Sequence, residues 1–339
     1  MLSAKKNKQN TTVYIFFKYK NMEVTRDYLN VIGAALHQVD LSCQYVNTMD
    51  GVPKKAFVMF VAGVDAFKYY LQGYHNIILW QQGATGAESF MRNSSKLRRA
   101  VLNHMDCFLM KKAKMIFYVS EYMLEYYERM AKKSFRQKAY VMPCFNEELD
   151  EEVLASKDYS RKIFTYVGSL DVWQCFDETA SIYEQIEKRI PDAFFKVLTF
   201  HTEKAEQIIQ QHNIRNYSVA CVPKEQVKSE LENATYGFII RHDIDVNRVA
   251  TPTKISSYLS AGVLPIYSTS LKDFHAHAEQ KKFAYALEPD GDIQGLLDYV
   301  NNGVNKEIVN REIKDLFSTY YSKDVHIRNI TDILNVRLK

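Results

Sequence analysis

Short apolar runs alternate along the chain with longer stretches of helical periodicity. In the front part, residues 12–17 (TVYIFF), 56–62 (AFVMFVA), 76–82 (NIILWQQ), 115–120 (MIFYVS) and 139–143 (AYVMP) predict strands buried on both faces. Helical patterns over 23–38, 92–112 and 121–133 fall between them, which predicts a parallel sheet covered by helices. Residues 144–162 (CFNEELDEEVLASKDYSRK) break the rhythm with an acidic cluster and predict a linker. The alternation then resumes at 163–169, 194–200, 217–222, 236–241, 264–268 and 283–287. From about 306 onward, polar helices with apolar positions at Ile308, Ile313, Phe317 and Tyr320 predict a tail packed on a domain face. The expected architecture is therefore α/β, with Rossmann-like doubly wound domains over 1–150 and 151–310 and a helical tail over 311–339. Two such domains leave a cleft between them, and ligands of such sheets sit beyond the carboxyl ends of the strands.

Composition narrows the class. With 339 residues, 47% hydrophobic and 25% charged, the chain has the size and balance of two globular domains rather than of a disordered or coiled-coil protein. Cysteines 43, 107, 144, 175 and 221 show no CxxC or Cys/His spacing, which argues against a disulfide framework or a zinc site and for a reducing cytoplasm. The apolar VYIFF near the start is too short for a signal sequence, and the longest apolar run, 56–64, is far below the roughly 20 residues that span a bilayer. The expected location is cytoplasmic, either soluble or peripheral on a membrane.

Charge is unevenly distributed. Residues 1–140 carry 21 Lys and Arg against 10 Asp and Glu, while 141–339 carry 23 against 30. A front half this basic suits an anionic surface, and an acidic membrane leaflet fits better than nucleic acid because no nucleic-acid-binding motif accompanies the charge. Ordinary solvated lysines are the other reading.

The candidate chemistry centres on residues 241–268, RHDIDVNRVATPTKISSYLSAGVLPIYS. Arg241 follows the strand at 236–241. Thr251 is a candidate N-cap with Pro252 at the first helical position, and Gly262 suits the helix end. Lys254 then lies in the first turn, where unpaired N–H groups already give about half a positive charge. A bound anion removes the conflict, and the two phosphates of a nucleotide-sugar satisfy both cations. Alternatively, Arg241 pairs with Asp243 or Asp245 and Lys254 points to solvent.

Two further segments stand at strand ends. In YVGSLDVWQCFDE, 166–178, Gly168 permits close backbone approach and Ser169 offers a hydroxyl to an anionic oxygen. In WQQGATGAESF, 80–90, Gly83 follows a strand and Glu88 lies near a helix start, where it can bind or deprotonate a hydroxyl or simply favour the helix dipole. A basic run follows: Arg92, Lys96, Arg98, Arg99, Lys111, Lys112 and Lys114. Ser120 reads as an N-cap.

Together these segments resemble GT-B-type bacterial glycosyltransferases of capsule, exopolysaccharide and lipopolysaccharide biosynthesis, similar to glycosyltransferase family 4. The resemblance rests on WQQGATGAES, VSEYM, YVGSLDVWQ and the segment around Arg241, Asn247, Pro252, Lys254, Tyr258, Leu259 and Gly262. It implies two Rossmann-like domains facing a cleft. It also implies transfer of a hexosyl group from a nucleotide-sugar, UDP- or GDP-linked, to a saccharide or lipid-linked saccharide acceptor, without metal or further cofactor. Carried onto this sequence, it makes Glu88, Arg241 and Lys254 catalytic. It assigns Gly168, Ser169, Arg241, Asn247, Thr253 and Lys254 to the donor, and Gly83 and Glu88 to the acceptor. The chain departs from the family pattern at Ser257, where many relatives have a Glu, and at SLDVWQ, where many have an Arg/Lys pair. A nucleotide-sugar 2-epimerase and a non-catalytic nucleotide-sugar-binding subunit are the competing functions.

Overall fold

The computed structural model describes residues 12–18, 23–288, 291 and 293–337. The first sheet and its helices run β1 (Thr12–Phe16), α1 (Glu23–Gln38), β2 (Ser42–Val46), β3 (Phe57–Phe60), α2 (Gly63–Leu71), β4 (Ile77–Gln81), α3 (Thr85–Asn93), α4 (Lys96–Lys112), β5 (Met115–Tyr118), α5 (Glu121–Ala131) and β6 (Ala139–Val141). The second runs α6 (Glu151–Ser156), β7 (Ile163–Val167), α7 (Phe176–Glu187), β8 (Phe194–Leu198), α8 (Thr202–Gln211), β9 (Tyr217–Ala220), α9 (Lys224–Glu232), β10 (Tyr236–Ile239), α10 (Asp245–Arg248), α11 (Lys254–Ser260), β11 (Leu264–Ser268), α12 (Lys272–Ala278) and β12 (Tyr285–Leu287). Helices α13 (Ile293–Asn302), α14 (Lys306–Thr319) and α15 (Lys323–Arg337) complete the chain.

Among the described residues every strand pairing is parallel. Parallel pairing requires crossovers, and the crossover helices cover both faces; β4, β5, β10 and β11 are accordingly buried along their whole length. The strand orders are β2-β1-β3-β4-β5-β6 and β12-β11-β10-β7-β8-β9. The order therefore reverses between β1 and β3 in one sheet and between β7 and β10 in the other. Ligands of open α/β sheets bind at such reversals, beyond the carboxyl ends of the strands.

The chain divides into two compact units, Met1–Met142 with Lys323–Lys339, and Pro143–Ser322. The tail does not stay together: α14 belongs to the second unit, while α15 joins the first and packs on α1. Residues 144–162 are not an irregular linker. Asp150 caps α6 by accepting the Val153 amide at 3.0 Å, and buried Lys157 donates to the carbonyls of Leu231, Glu232 and Ala261 at 3.1, 3.0 and 2.8 Å. An ammonium with all three donors placed this way ties the ends of α9 and α11 together.

Two further differences have local causes. The helix expected over 92–112 breaks where Ser94 adopts a left-handed conformation (φ 52°) and Ser95 starts α4 by accepting the Arg98 amide. Strand β2, SCQYV, and helix α2 are additions. The strand is an edge with half-buried polar residues, so its pattern lacked the apolar run that marked the others.

Candidate functional site

In the second unit the reversal between β7 and β10 gathers two cations. Arg241 lies just past β10, its backbone N–H donating to Ser268 Oγ at 2.9 Å and its carbonyl accepting from Ser270 Oγ at 3.1 Å. The side chain is 5% exposed. Its Nη1 donates to the carbonyls of Gln174 (3.0 Å) and Ile240 (2.8 Å), and Nη2 donates to Gln174 Oε1. Lys254, the first residue of α11, donates from Nζ to the same Gln174 Oε1 at 2.8 Å and sits 4.1 Å from the centre of the Tyr166 ring.

Among the described residues, neither cation forms an ion pair with a carboxylate. Asp243 instead takes a bidentate bond from Arg248, at 2.6 and 2.9 Å, and Asp245 lies 3.7 Å from the same guanidinium. The alternative of an Arg241–Asp pair and a solvent-facing Lys254 is thus not what the structure shows. Burial lowers the pKa of Arg241; burial, then the nearby Arg241 charge, lowers that of Lys254 well below the ordinary lysine range. A buried guanidinium and a half-buried ammonium that share one neutral amide oxygen, with Asp171 the carboxylate acting on Lys254 without pairing to it, form a site short of negative charge.

The surroundings fix this geometry. Gly168 follows β7 at φ +130°, and a Cβ there would lie 2.8 Å from Lys254 Cε, so the position needs glycine for its backbone angle and for the lysine's passage. Ser169 does not offer a free hydroxyl, since its Oγ donates to Asp171 at 2.8 Å. Buried Asn247 donates to the His242 carbonyl at 2.9 Å and shapes the loop after Arg241. Tyr258 hydroxyl accepts the Val167 amide at 3.0 Å, pinning α11 to β7.

Thr251 is not the N-cap: its hydroxyl accepts the Cys144 amide at 3.0 Å, and Thr253 is the residue preceding the helix. The Thr253 carbonyl accepts from the Ser256 hydroxyl at 2.9 Å, and Ser257 donates to Asn146 at 3.1 Å. The helix ends as expected at Gly262, with the Val263 amide donating to the Tyr258 carbonyl at 2.8 Å.

The first unit holds a separate cavity of about 370 Å³ at the ends of β3 and β4, lined by residues including Gly63, Gln81, Gln82, Gly83, Thr85 and Glu88. A Cβ on Gly83 would fall 1.9 Å from Glu88 Oε1, so glycine makes room for that carboxylate. Burial raises the Glu88 pKa, partly opposed by Arg92. Behind the loop, the single Tyr127 hydroxyl proton is shared between two acceptors, the Gly83 carbonyl (3.1 Å) and Asp106 Oδ2 (3.2 Å), and the hydroxyl oxygen accepts from Gln81 Nε2 (2.7 Å). Buried Asp106 has a pKa pushed up to about 6, chiefly by burial and also by the Glu88 charge, against hydrogen bonds from Tyr127 and Thr85.

The structure thus groups Gly168, Arg241 and Lys254 tightly, places Ser169, Asn247 and Thr253 around them, and sets Gly83 beside Glu88 in the other unit. Gln174 and Asp106 are the residues the sequence reading missed. Gln174 lies inside SLDVWQ, the segment that departs from the family pattern, but nothing in the sequence marks it apart from its neighbours. Asp106 had a signal, as a carboxylate on the buried stripe of α4 with Cys107, Leu109 and Met110. Cys175, Glu178 and His242 also present metal-ligating atoms within 4.8 Å of one another, with His242 Nε2 already 2.7 Å from Glu178 Oε1.

No family model and no curated protein matches the sequence. The fold does match solved structures. A glycosyltransferase from Rickettsia africae aligns at TM-score 0.65 and 10% identity over 98% of this chain and 99% of its own. HepE from Anabaena, in complex with UDP and glucose, aligns at 0.65 and 8% over 96% and 99%. The lipopolysaccharide outer core galactosyltransferase WaaB aligns at 0.64 and 11% over 96% and 99%. The chain has the two-domain α/β fold of these GT-B glycosyltransferases, as the sequence resemblance implied.

Proposed function

We propose that the protein is a glycosyltransferase that moves a hexosyl group from a UDP- or GDP-sugar to a saccharide, lipid-linked in surface polysaccharide assembly. The observation carrying this reading is the Arg241–Lys254 pair at the strand-order reversal of the second sheet, Arg241 buried and Lys254 half-buried, neither ion-paired with a carboxylate among the described residues. A nucleotide diphosphate supplies the missing negative charge there. As the bond between sugar and diphosphate breaks, charge accumulates on the leaving oxygen, and preplaced cations stabilise it more than they stabilise the intact donor. Two protein cations at that oxygen make the reading metal-independent.

Acceptor activation is assigned to Glu88 in the first unit's cavity. Its carboxylate takes the proton from the acceptor hydroxyl as the new glycosidic bond forms, and a pKa raised by burial makes it a stronger base once ionised. The front half is assigned to an anionic membrane surface. On α4, Leu97 and Val101 are 76% and 59% exposed one turn apart, beside exposed Lys96 and Arg98. Two exposed apolar side chains beside cations support insertion of the start of α4 into a lipid interface, and no described helix is long and apolar enough to cross a membrane.

The test is a thermal-shift screen with UDP-, GDP-, TDP- and CMP-sugars, followed by incubation of the stabilising donor with polysaccharide-lipid fractions. Acceptor-dependent release of nucleoside diphosphate is the expected result. Isomerised donor without transfer indicates an epimerase instead, and binding without turnover on any acceptor indicates a non-catalytic subunit.

A further inference from the structure

The occupant of the cation site is a glutamine, and its geometry has a functional reading. One neutral oxygen, Gln174 Oε1, receives Arg241 Nη2 and Lys254 Nζ together, while the Gln174 backbone carbonyl receives Arg241 Nη1. Withdrawing this single residue therefore releases three cationic donors at once. An amide oxygen carries only a partial charge, so it satisfies the hydrogen bonds of two cations without neutralising them. The contact is firm enough to hold the pair in place and weak enough to yield to a true anion.

The segment that carries Gln174 is short. It is a three-residue 3-10 turn, Val172–Gln174, closed by the Gln174 amide donating to the Asp171 carbonyl at 2.7 Å. Cys175, directly after it, has a left-handed φ of +50°, and Gly168, at +130°, lies before it beyond Ser169, Leu170 and Asp171. Val172 at its tip is 77% exposed, while Leu170 before the turn and Cys175 and Phe176 after it are buried and fix its two ends.

We propose that Gln174 is an internal stand-in for a ligand oxygen: the ligand-free protein keeps its side-chain carbonyl where an oxygen of a bound diphosphate goes, and binding displaces it. This rests on the diphosphate reading of the Arg241–Lys254 site and adds a residue that sets the affinity of that site. The stand-in keeps both cations aligned when no ligand is present, which limits the rearrangement needed on binding. It also imposes a competition that every anion must win.

The experiment measures inorganic pyrophosphate and UDP binding by calorimetry to the full chain and its Gln174→Ala and Gln174→Glu variants, with thermal denaturation to confirm folding. Gln174→Ala removes the competitor and is expected to bind pyrophosphate about fivefold or more tightly, since a hydrogen bond to a charged group no longer has to be given up. Gln174→Glu places a carboxylate between the cations and is expected to melt higher and lose pyrophosphate binding. Unchanged affinity in Gln174→Ala overturns the displacement, and weaker binding shows that Gln174 is a ligand contact; either leaves the diphosphate reading standing. Absence of pyrophosphate and UDP binding in both wild type and Gln174→Ala overturns that reading and the inference with it.

Discussion

Gly168 and Lys254 claim the same space: a Cβ on Gly168 would fall 2.8 Å from Lys254 Cε and 3.2 Å from Nζ. The lysine reaches Gln174 and the Tyr166 ring only because the preceding turn has no side chain there. Gly168→Ala should therefore damage the site in two ways, through a backbone at φ +130° that costs an L-residue about 1–3 kcal/mol and through eviction of the ammonium. A lower urea midpoint together with a lost UDP thermal shift is expected. A variant with full stability and full nucleotide binding would show that the close approach has no functional consequence.

Lys254 gives binding and stability opposite pH dependences. Its pKa is lowered by burial and by Arg241, so as pH rises through that value the ammonium discharges and pyrophosphate binding weakens. Between the lowered value and the ordinary lysine value the unfolded chain binds the extra proton, so this group makes stability rise with pH over the same window. Lys254→Arg should flatten the binding profile, because a guanidinium stays charged. Lys254→Ala should cut turnover by about a hundredfold or more, as expected for losing a donor to a leaving-group charge.

Asp106 makes the first unit acid-favoured. With a folded pKa of about 6 against an ordinary 3.8, the folded state holds a proton that the unfolded state has lost between those values. Its contribution is therefore present below the ordinary pKa and declines by about 3 kcal/mol as pH rises to 6. Asp106→Asn keeps an acceptor for Tyr127 and removes the titration. Denaturant titrations from pH 4 to 7 should show wild type losing stability relative to the variant; parallel curves would refute the assignment.

Lys157 is expected to matter far more than an average lysine. Its replacement by Met keeps most of the apolar stem but leaves the carbonyls of Leu231, Glu232 and Ala261 without their shared donor. The expected loss is about 3 kcal/mol, the scale of a buried hydrogen-bonded charge network broken on one side. Because Ala261 ends α11, the UDP thermal shift should shrink along with the melting temperature.

The α4 surface is tested with lipid vesicles. Co-sedimentation with vesicles containing phosphatidylglycerol should fall about tenfold or more in a Leu97→Glu, Val101→Glu double variant, since two apolar side chains no longer enter the interface. Added salt should weaken wild-type binding through the basic residues beside them. Equal binding by both proteins would place the membrane contact elsewhere or nowhere.

The sequence alone carried the two sheets, because a buried parallel strand writes itself as a continuous apolar run and the connecting helix as a 3.6-residue period. β4, β5, β7, β10 and β11 were legible for that reason. β2 was not, because an edge strand with polar, half-buried residues has no such run. Arg241, Lys254 and Gly168 were legible as site candidates because each is the wrong residue for its local element unless something else is nearby.

What occupies that neighbourhood was decided only by tertiary structure. Strand order brings β7 and β10 side by side across the 68 intervening residues, 168–235, from the end of one element to the start of the other. No local pattern encodes that neighbour relation, since it depends on which crossovers go left and which go right. The same holds for Gln174, whose amide meets two cations that lie 67 and 80 positions away. It also holds for Asp106, whose raised pKa comes from burial that exists only once α4 is packed. Sequence determined the elements and the misfit charges; the fold determined that the charges share one oxygen.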